Sequence, residues 1–347
     1  MDGIVRVLVV DDSAYIRKVV REILSRSPFI EVVGIARDGE EALEQVEQLN
    51  PDVVTLDLMM PRMDGLEFLR TQMTRRALPV VVMSAADQRS EQVLAALDAG
   101  AVDFVQKPTA LATEKIFEVS AELIAKVKVA AGIPQERLGP ALAQPEWAPS
   151  HEVVQGRGLV DVVVLGISTG GPQALKYLIP RLPVDFPVPL AMVLHMPLGY
   201  TEMYARRLDD ISQLHVVEAQ EGLAVAPGVA LLAPAGRHLR FKRTSQGTVL
   251  AHLDMHPIDK PHRPSVDVLF QSAAEVFGRR VLGIIMTGMG ADGQEGAAWI
   301  KAQGGIIFTE AEETCVVYGM PRSVVEAGLS DRTLRLDQLF EAILEVV

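Results

Sequence analysis

The chain is expected to fold as two consecutive α/β domains. The first is a five-unit (βα)5 flavodoxin-like domain and the second an α/β domain with a mainly parallel sheet. Three observations carry this. Short apolar runs alternate with amphipathic stretches at helical spacing through residues 1–130 and again from residue 159. A proline- and glycine-rich stretch with little periodicity separates the two halves. The length of 347 residues fits two domains at roughly 100–200 residues each.

In the first half the expected strands are Val5–Val10, Ile30–Ile35, Asp52–Leu56, Pro79–Met83 and Val102–Val105. The intervening helical patterns are Ser13–Ser25, Gly39–Leu49, Gly65–Met73, Arg89–Ala99 and Thr113–Ala130. Short links between them imply a parallel sheet covered by helices on both faces. Residues 131–158 hold Pro134, Pro140, Pro145 and Pro149 among several glycines, so they are expected to form a linker, with Trp147 in it assigned no role. Beyond it, strands are expected at Leu159–Leu165, Val188–Leu194, His215–Glu218, Val229–Ala233, Val249–Leu253, Val281–Met286 and Gly305–Phe308. Helices are expected at Pro172–Ile179, Thr201–Leu208, Ser265–Phe277, Gly293–Gln303 and Met320–Ala327.

Composition narrows the function. Thirty-three Lys plus Arg against 45 Asp plus Glu give a net charge of −12, and no basic cluster offers a face for a phosphate backbone. Nucleic acid is therefore not an expected partner. No apolar run reaches the roughly 18 residues of a membrane span, and Met1–Val10 enters a strand without the basic start of an export signal. A cytoplasmic protein without membrane insertion is expected. Cys315 is the single cysteine, which excludes an internal disulfide and a thiolate zinc cluster; it reads as a small buried thiol in a strand-like run, Thr314 to Tyr318.

In open α/β sheets, functional groups collect beyond the carboxyl ends of the strands. The first domain carries Asp11 and Asp12, Asp57, Ser84 and Lys107 at four such ends. Three converging carboxylates repel one another unless a cation sits among them, and hard oxygen ligands suit Mg²⁺. A carboxylate beside Mg²⁺ is able to attack phosphorus, because the metal neutralises the incoming phosphoryl group. Lys107 adds a compact positive charge, Ser84 a hydroxyl, and Pro108 a turn, cis or otherwise rigid, that aims the lysine. The pieces Val-Asp-Asp-Ser at 10–13, Leu-Asp-Leu-Met-Met-Pro-Arg-Met-Asp-Gly at 56–65, Met-Ser-Ala at 83–85 and Gln-Lys-Pro at 106–108 resemble the receiver of two-component response regulators. That resemblance implies that Asp57 accepts the phosphoryl group and that Asp11 and Asp12 hold Mg²⁺ with it. It also implies that Ser84 and Lys107 sense the phosphoryl group and that Phe104 is the aromatic switch.

In the second domain Gly166-Ile167-Ser168-Thr169-Gly170-Gly171-Pro172 follows an apolar strand and opens a helix, satisfying the G-x-S-x-G pattern of a nucleophile elbow. A phosphate-binding turn has the same texture, but neither GK[ST] nor G-x-G-x-x-G is present. A serine nucleophile needs a base, and the base an orienting acid. Of seven histidines His195 is the best placed, because it ends a strand; Asp292 is among the acids that also stand at a strand-to-helix junction. Their order is Ser, His, Asp, unlike the Ser, Asp, His order of an α/β-hydrolase. Spacing alone leaves the three unassigned.

Gly-Ile-Ser-Thr-Gly-Gly-Pro at 166–172, His-Met-Pro at 195–197, His-Arg-Pro-Ser-Val-Asp-Val-Leu-Phe at 262–270, Met-Thr-Gly-Met-Gly-Ala-Asp-Gly at 286–293 and Thr-Cys-Val-Val-Tyr-Gly-Met-Pro at 314–321 resemble the chemotaxis protein-glutamate methylesterases. The departures are Ile167 where alanine is common and Leu198 where a second proline is common. With no match for the linker at 131–158, which is read from its composition, the resemblance implies a receiver at 1–130 and a methylesterase domain at 159–347. It implies Ser168 as nucleophile, His195 as base and Asp292 as acid, with backbone N–H groups near Thr169 or Met289 for the oxyanion. It further implies hydrolysis of receptor γ-glutamyl methyl esters, deamidation of receptor glutamines, chemoreceptor cytoplasmic helices as substrate and a chemotaxis histidine kinase as phosphodonor. The unmodified receiver is expected to cover the Ser168 edge until Asp57 is phosphorylated. A non-catalytic adaptor and an esterase for small soluble esters are the rival readings; the intact serine, histidine and aspartate argue against the first. His252, His256 and His262 with Asp254 suggest a metal site, but His252 and His256, on one face of an expected strand, stand too far apart to share an ion, and Arg206 and Arg207 read as a solvated helix face.

Overall fold

The computed structural model describes residues 3–84, 90–107, 113–138 and 158–347. Expectations placed on Pro108 and Trp147, and on most of 131–158, lie outside these residues. The chain divides into two compact units, Met1–Ala143 and Gln144–Val347, each considered by itself.

In the first unit strands β1 (Val5–Val10), β2 (Ile30–Ala36), β3 (Val53–Asp57), β4 (Val80–Ser84) and β5 (Asp103–Gln106) alternate with helices α1 (Ala14–Leu24), α2 (Gly39–Leu49), α3 (Gly65–Arg75), α4 (Ser90–Asp98) and α5 (Thr113–Ala131). The strand order is β2-β1-β3-β4-β5, with every pairing parallel. Continuous apolar strands are what a sheet covered on both faces requires, and Val7, Leu8, Val9 and Val10 are each at most 1% exposed. Side-chain oxygens start the first three helices: Ser13 accepts from the N–H of Ile16, Asp38 from Glu41 and Asp64 from Glu67. Gly65 has a steric reason. A Cβ there would lie 2.1 Å from the carbonyl oxygen of Asp57, so only glycine lets the following loop close over the end of β3.

The second unit contains β6 (Val162–Ile167), α6 (Gly171–Leu178), β7 (Leu190–Leu194), α7 (Thr201–Asp209), β8 (His215–Glu218), β9 (Val229–Leu232), β10 (His238–Arg243), β11 (Val249–Asp254) and α8 (Val266–Phe277). It continues with β12 (Val281–Ile285), α9 (Gln294–Ala302), β13 (Ile306–Glu310), α10 (Met320–Glu326), β14 (Arg332–Leu334) and α11 (Leu336–Val346). Seven strands form one sheet in the order β14-β13-β12-β6-β7-β9-β8, all parallel. The expected run Val249–Leu253 does not join it; it pairs antiparallel with β10 in a separate hairpin. Helix α8 packs on β6 and on β10, burying Leu269, Phe270 and Ala273. Cys315 is fully buried as expected, but its segment is not a strand: a single bridge joins Tyr318 to Gly288. Among the described residues no helix is long and apolar enough to cross a membrane.

Candidate functional site

The acidic site of the first unit forms because β1 and β3 are neighbours. Asp11 and Asp12 follow β1, Asp57 closes β3, and ligand-capable atoms of all three lie within 4.8 Å of one another. Lys107, just after β5, sends its Nζ 2.8 Å from Asp11 Oδ2 and 2.8 Å from Asp57 Oδ2. Burial opposes the Lys107 charge, but these two carboxylates outweigh it and hold the ammonium above its usual range. Burial raises the Asp57 carboxyl, aided by Asp11, while Lys107 and the N–H of Met59 work against that rise. Three carboxylates around one point are the hard oxygen set that suits Mg²⁺. Ser84 is buried at the end of β4, and its carbonyl accepts the N–H of Lys107 at 2.6 Å. Phe104 is buried within β5.

In the second unit three adjacent central strands, β12, β6 and β7, deliver the expected residues to one sheet edge. Pairing of Ile167 with Leu194 and of Ile285 with Gly166 fixes the register, so Ser168, His195 and Thr287 leave the sheet side by side. The N–H of Ser168 donates to the Thr287 carbonyl at 3.0 Å, and that of His195 to the Ile167 carbonyl at 3.2 Å. Gly288 is required here: a Cβ would sit 2.9 Å from that of Ser168 and 2.3 Å from Met320 Sδ.

Asp292 Oδ2 accepts from His195 Nε2 at 2.8 Å. An ionised carboxylate only accepts, so Nε2 carries the imidazole proton and Nδ1 holds the lone pair. That Nδ1 is buried and has no hydrogen-bond partner among the described residues. The geometry therefore joins base and acid but does not hydrogen-bond the Ser168 hydroxyl to the imidazole. Catalytic hydrogen bonds are often loose before substrate arrives and tighten in the complex. His262 stacks on the His195 ring, with centroids 4.2 Å apart and planes 19° off parallel.

Asp292 is fixed by the start of α8 rather than by its own helix. Ser265 Oγ and the N–H groups of Val266 and Asp267 donate to it at 2.8, 2.8 and 3.1 Å. Burial by itself would raise this carboxyl, but the bonds from His195, Val266 and Asp267 overcome it and hold the group well below the ordinary carboxylate range. Asp267 reciprocates: its Oδ1 accepts from Gly293 and Gly296 at the start of α9, both at 2.8 Å, and Lys260 bonds its Oδ2 at 3.0 Å. Buried His238 accepts the Ser265 N–H on Nδ1 and turns Nε2 to the Pro257 carbonyl. Thus His238, Ser265 and Asp267, which sequence reasoning passed over, hold Asp292 in place; the 262–270 motif contains Ser265 and Asp267, and nothing in the sequence pointed to His238.

Thr169 is buried, and its carbonyl accepts the Thr287 hydroxyl at 2.9 Å; Met289 follows Gly288 and is half-buried. His252, by contrast, bonds Glu221 at 3.0 Å, and β11 ends at Asp254, so His256 lies beyond the strand rather than on one face of it with His252. Arg206 pairs with Glu202 on the exposed face of α7.

An acidic pocket on a five-stranded parallel sheet, followed by a histidine–aspartate pair beside a strand-end serine, is the make-up of a receiver-coupled hydrolase. The response regulator receiver family model matches residues 7–118, and the CheB methylesterase model matches residues 163–343. The protein-glutamate methylesterase/protein-glutamine glutaminase 5 of Myxococcus xanthus is 53% identical over 96% of this chain and 95% of its own length. A relative of the same activity name from Pyrococcus horikoshii is 40% identical over 99% and 94%. The crystal structure of the Thermotoga maritima CheB methylesterase catalytic domain matches 54% of this chain and 99% of its own, at 43% identity and a TM-score of 0.53. The chain belongs to the CheB methylesterase family.

Proposed function

We propose that Ser168, His195 and Asp292 carry out the reaction of this family on the chain's own receptor substrate. The chain hydrolyses γ-glutamyl methyl esters of chemoreceptors to glutamate and methanol, and deamidates receptor glutamines, under the control of its receiver. The observation that carries the site assignment is the 2.8 Å bond from His195 Nε2 to Asp292, made while the buried Nδ1 of the same ring stays unpartnered on a strand next to Ser168.

Nδ1 takes the Ser168 proton as Oγ attacks the ester carbonyl, and Asp292 stabilises the imidazolium that forms. Ser168 spends its own N–H on the Thr287 carbonyl, so the oxyanion falls to the N–H groups of Thr169 or Met289. The proton returns to the leaving methoxide, methanol departs, and water, deprotonated by the same imidazole, cleaves the acyl-enzyme to free glutamate and Ser168. In deamidation the leaving group is ammonia and the sequence is otherwise identical.

Residues 1–130 serve as the receiver, 131–158 as the linker and 159–347 as the catalytic domain. Asp57 accepts a phosphoryl group from a chemotaxis histidine kinase. Asp11, Asp12 and Asp57 would hold Mg²⁺, which neutralises phosphoryl charge when bound. Lys107 and Ser84 bind the phosphoryl oxygens, and Phe104 answers their movement. The cytoplasmic helices of receptors, as substrate, place the protein in the cytoplasm. Ser168→Ala is expected to abolish methanol release from methylated receptor membranes while leaving phosphorylation at Asp57 intact. Full ester turnover by that variant refutes the nucleophile assignment.

A further inference from the structure

Glu310 closes β13 with no exposed surface, yet the mechanism above makes no use of it. One carboxyl oxygen, Oε2, accepts the N–H of Thr287 at 2.9 Å. The other, Oε1, is buried with no hydrogen-bond partner among the described residues. Thr287 is the residue from which the nucleophile turn hangs. Its carbonyl accepts the N–H of Ser168, and its hydroxyl donates to the Thr169 carbonyl at 2.9 Å and accepts the Val317 N–H at 2.9 Å. Gly288, the next residue, donates to the Val317 carbonyl and accepts from Gly319 and Met320. One carboxyl group therefore sits behind the peptide that aligns Ser168, Thr169 and the approach to Met289.

We propose that Glu310 is a positioning residue of the ester-hydrolysing site, and that its carboxyl group, protonated on the unpartnered oxygen, fixes the Thr287 peptide and through it the backbone of Ser168 and Thr169. This depends on Ser168 being the nucleophile. A buried carboxylate with an unsatisfied oxygen is costly, whereas the neutral acid still accepts the Thr287 N–H. Burial pushes the Glu310 carboxyl up to about 7, against the opposing effects of the Thr287 N–H and of the nearby Thr314 hydroxyl and Cys315 thiol, neither of which is in hydrogen-bonding geometry to Oε1. Cys315, in the loop after β13, is the titratable group among those that act on it; Thr287 presents its backbone N–H and Thr314 a hydroxyl, neither of which ionises.

The sign follows from proton binding. From an ordinary value of 4.5 up to about 7 the folded chain keeps a proton that the unfolded chain has released. Stability contributed by the neutral acid is complete below that interval and is lost as pH rises through it. Above about 7 the site must hold an uncompensated charge behind Thr287, and the turn loosens.

Full-length wild type, Glu310→Ala and Glu310→Gln are compared with Ser168→Ala by methanol release from methylated receptor membranes, from about pH 6 to about pH 9, an interval spanning this titration. Thermal unfolding is followed from about pH 4 to about pH 8, the interval in which the stability of the neutral acid is lost. Glu310→Ala is expected to lower kcat roughly tenfold or more with KM little changed, since misplacement of a reacting group acts on the transition state. Glu310→Gln, which keeps an acceptor for Thr287 and cannot ionise, is expected to recover most of that loss. Its kcat should also lack the alkaline decline of the wild type, and its stability the loss between 4.5 and about 7. Wild-type kcat in the Ala variant, or alkaline limbs that superimpose in wild type and Gln variant, overturns the proposal when Ser168→Ala is inactive. An active Ser168→Ala brings down the nucleophile assignment instead. If the Ala variant does not fold, the comparison of wild type with Gln decides alone.

Discussion

Asp292 shows how one residue is made fit for its role. Bonds from an imidazole, a hydroxyl and two helix-start N–H groups keep it ionised far below neutral pH; in the proposed mechanism it holds the His195 Nε2 proton and leaves Nδ1 to act as base. An amide at this position would present a donor to the ring and favour the wrong tautomer. Asp292→Asn is therefore expected to lower kcat by about 10³–10⁴-fold with little change in KM, as the loss of an orienting acid does elsewhere. Steady-state kinetics on methylated receptor membranes check this; a loss carried by KM would show that Asp292 binds substrate rather than orienting the base.

At the scale of elements, the site exists because the N-termini of α8 and α9 cap each other through Asp292 and Asp267. Asp267→Ala leaves the N–H groups of Gly293 and Gly296 and the Lys260 ammonium without that carboxylate. Such a loss is expected to cost about 1–2 kcal/mol, in the range of a helix cap, measured by urea unfolding of residues 158–347. An unchanged midpoint would show that the two helices are held by packing alone. This reciprocity was not legible in the sequence, where Asp292 before Gly293 reads as a cap for its own helix; it joins residues 25 apart in the chain. The βα units were legible, because Val- and Leu-rich strands buried on both faces contrast with amphipathic helices. Strand β10 (His-Leu-Arg-Phe-Lys-Arg) was not, since Arg240, Lys242 and Arg243 break its apolar run on a two-stranded hairpin, and β14 was too short to register. Helix α11 carries a clear apolar stripe, with Leu336, Leu339, Phe340 and Ile343 buried, and was overlooked rather than hidden. Glu310 lies beyond the expected end of its strand at Phe308 and drew no reading from the sequence; it is buried where the Thr314–Met320 segment folds back over Gly288.

At the scale of the whole molecule, one chain couples a phosphoryl-accepting unit to an ester-hydrolysing one. We propose that this coupling is a population shift, in which phosphorylation at Asp57 favours a state where the second unit meets its substrate. A chain beginning at Gly158 is then expected to show higher basal turnover than the full chain, and no response to a phosphodonor. The most direct measurement is methanol release from methylated receptor membranes by the full chain, with and without a small-molecule phosphodonor and Mg²⁺. The account predicts release that rises several-fold with the phosphodonor and is absent in Ser168→Ala, with the rise lost in Asp57→Asn. Release that is indifferent to the phosphodonor, or that survives the loss of the Ser168 hydroxyl, would contradict it.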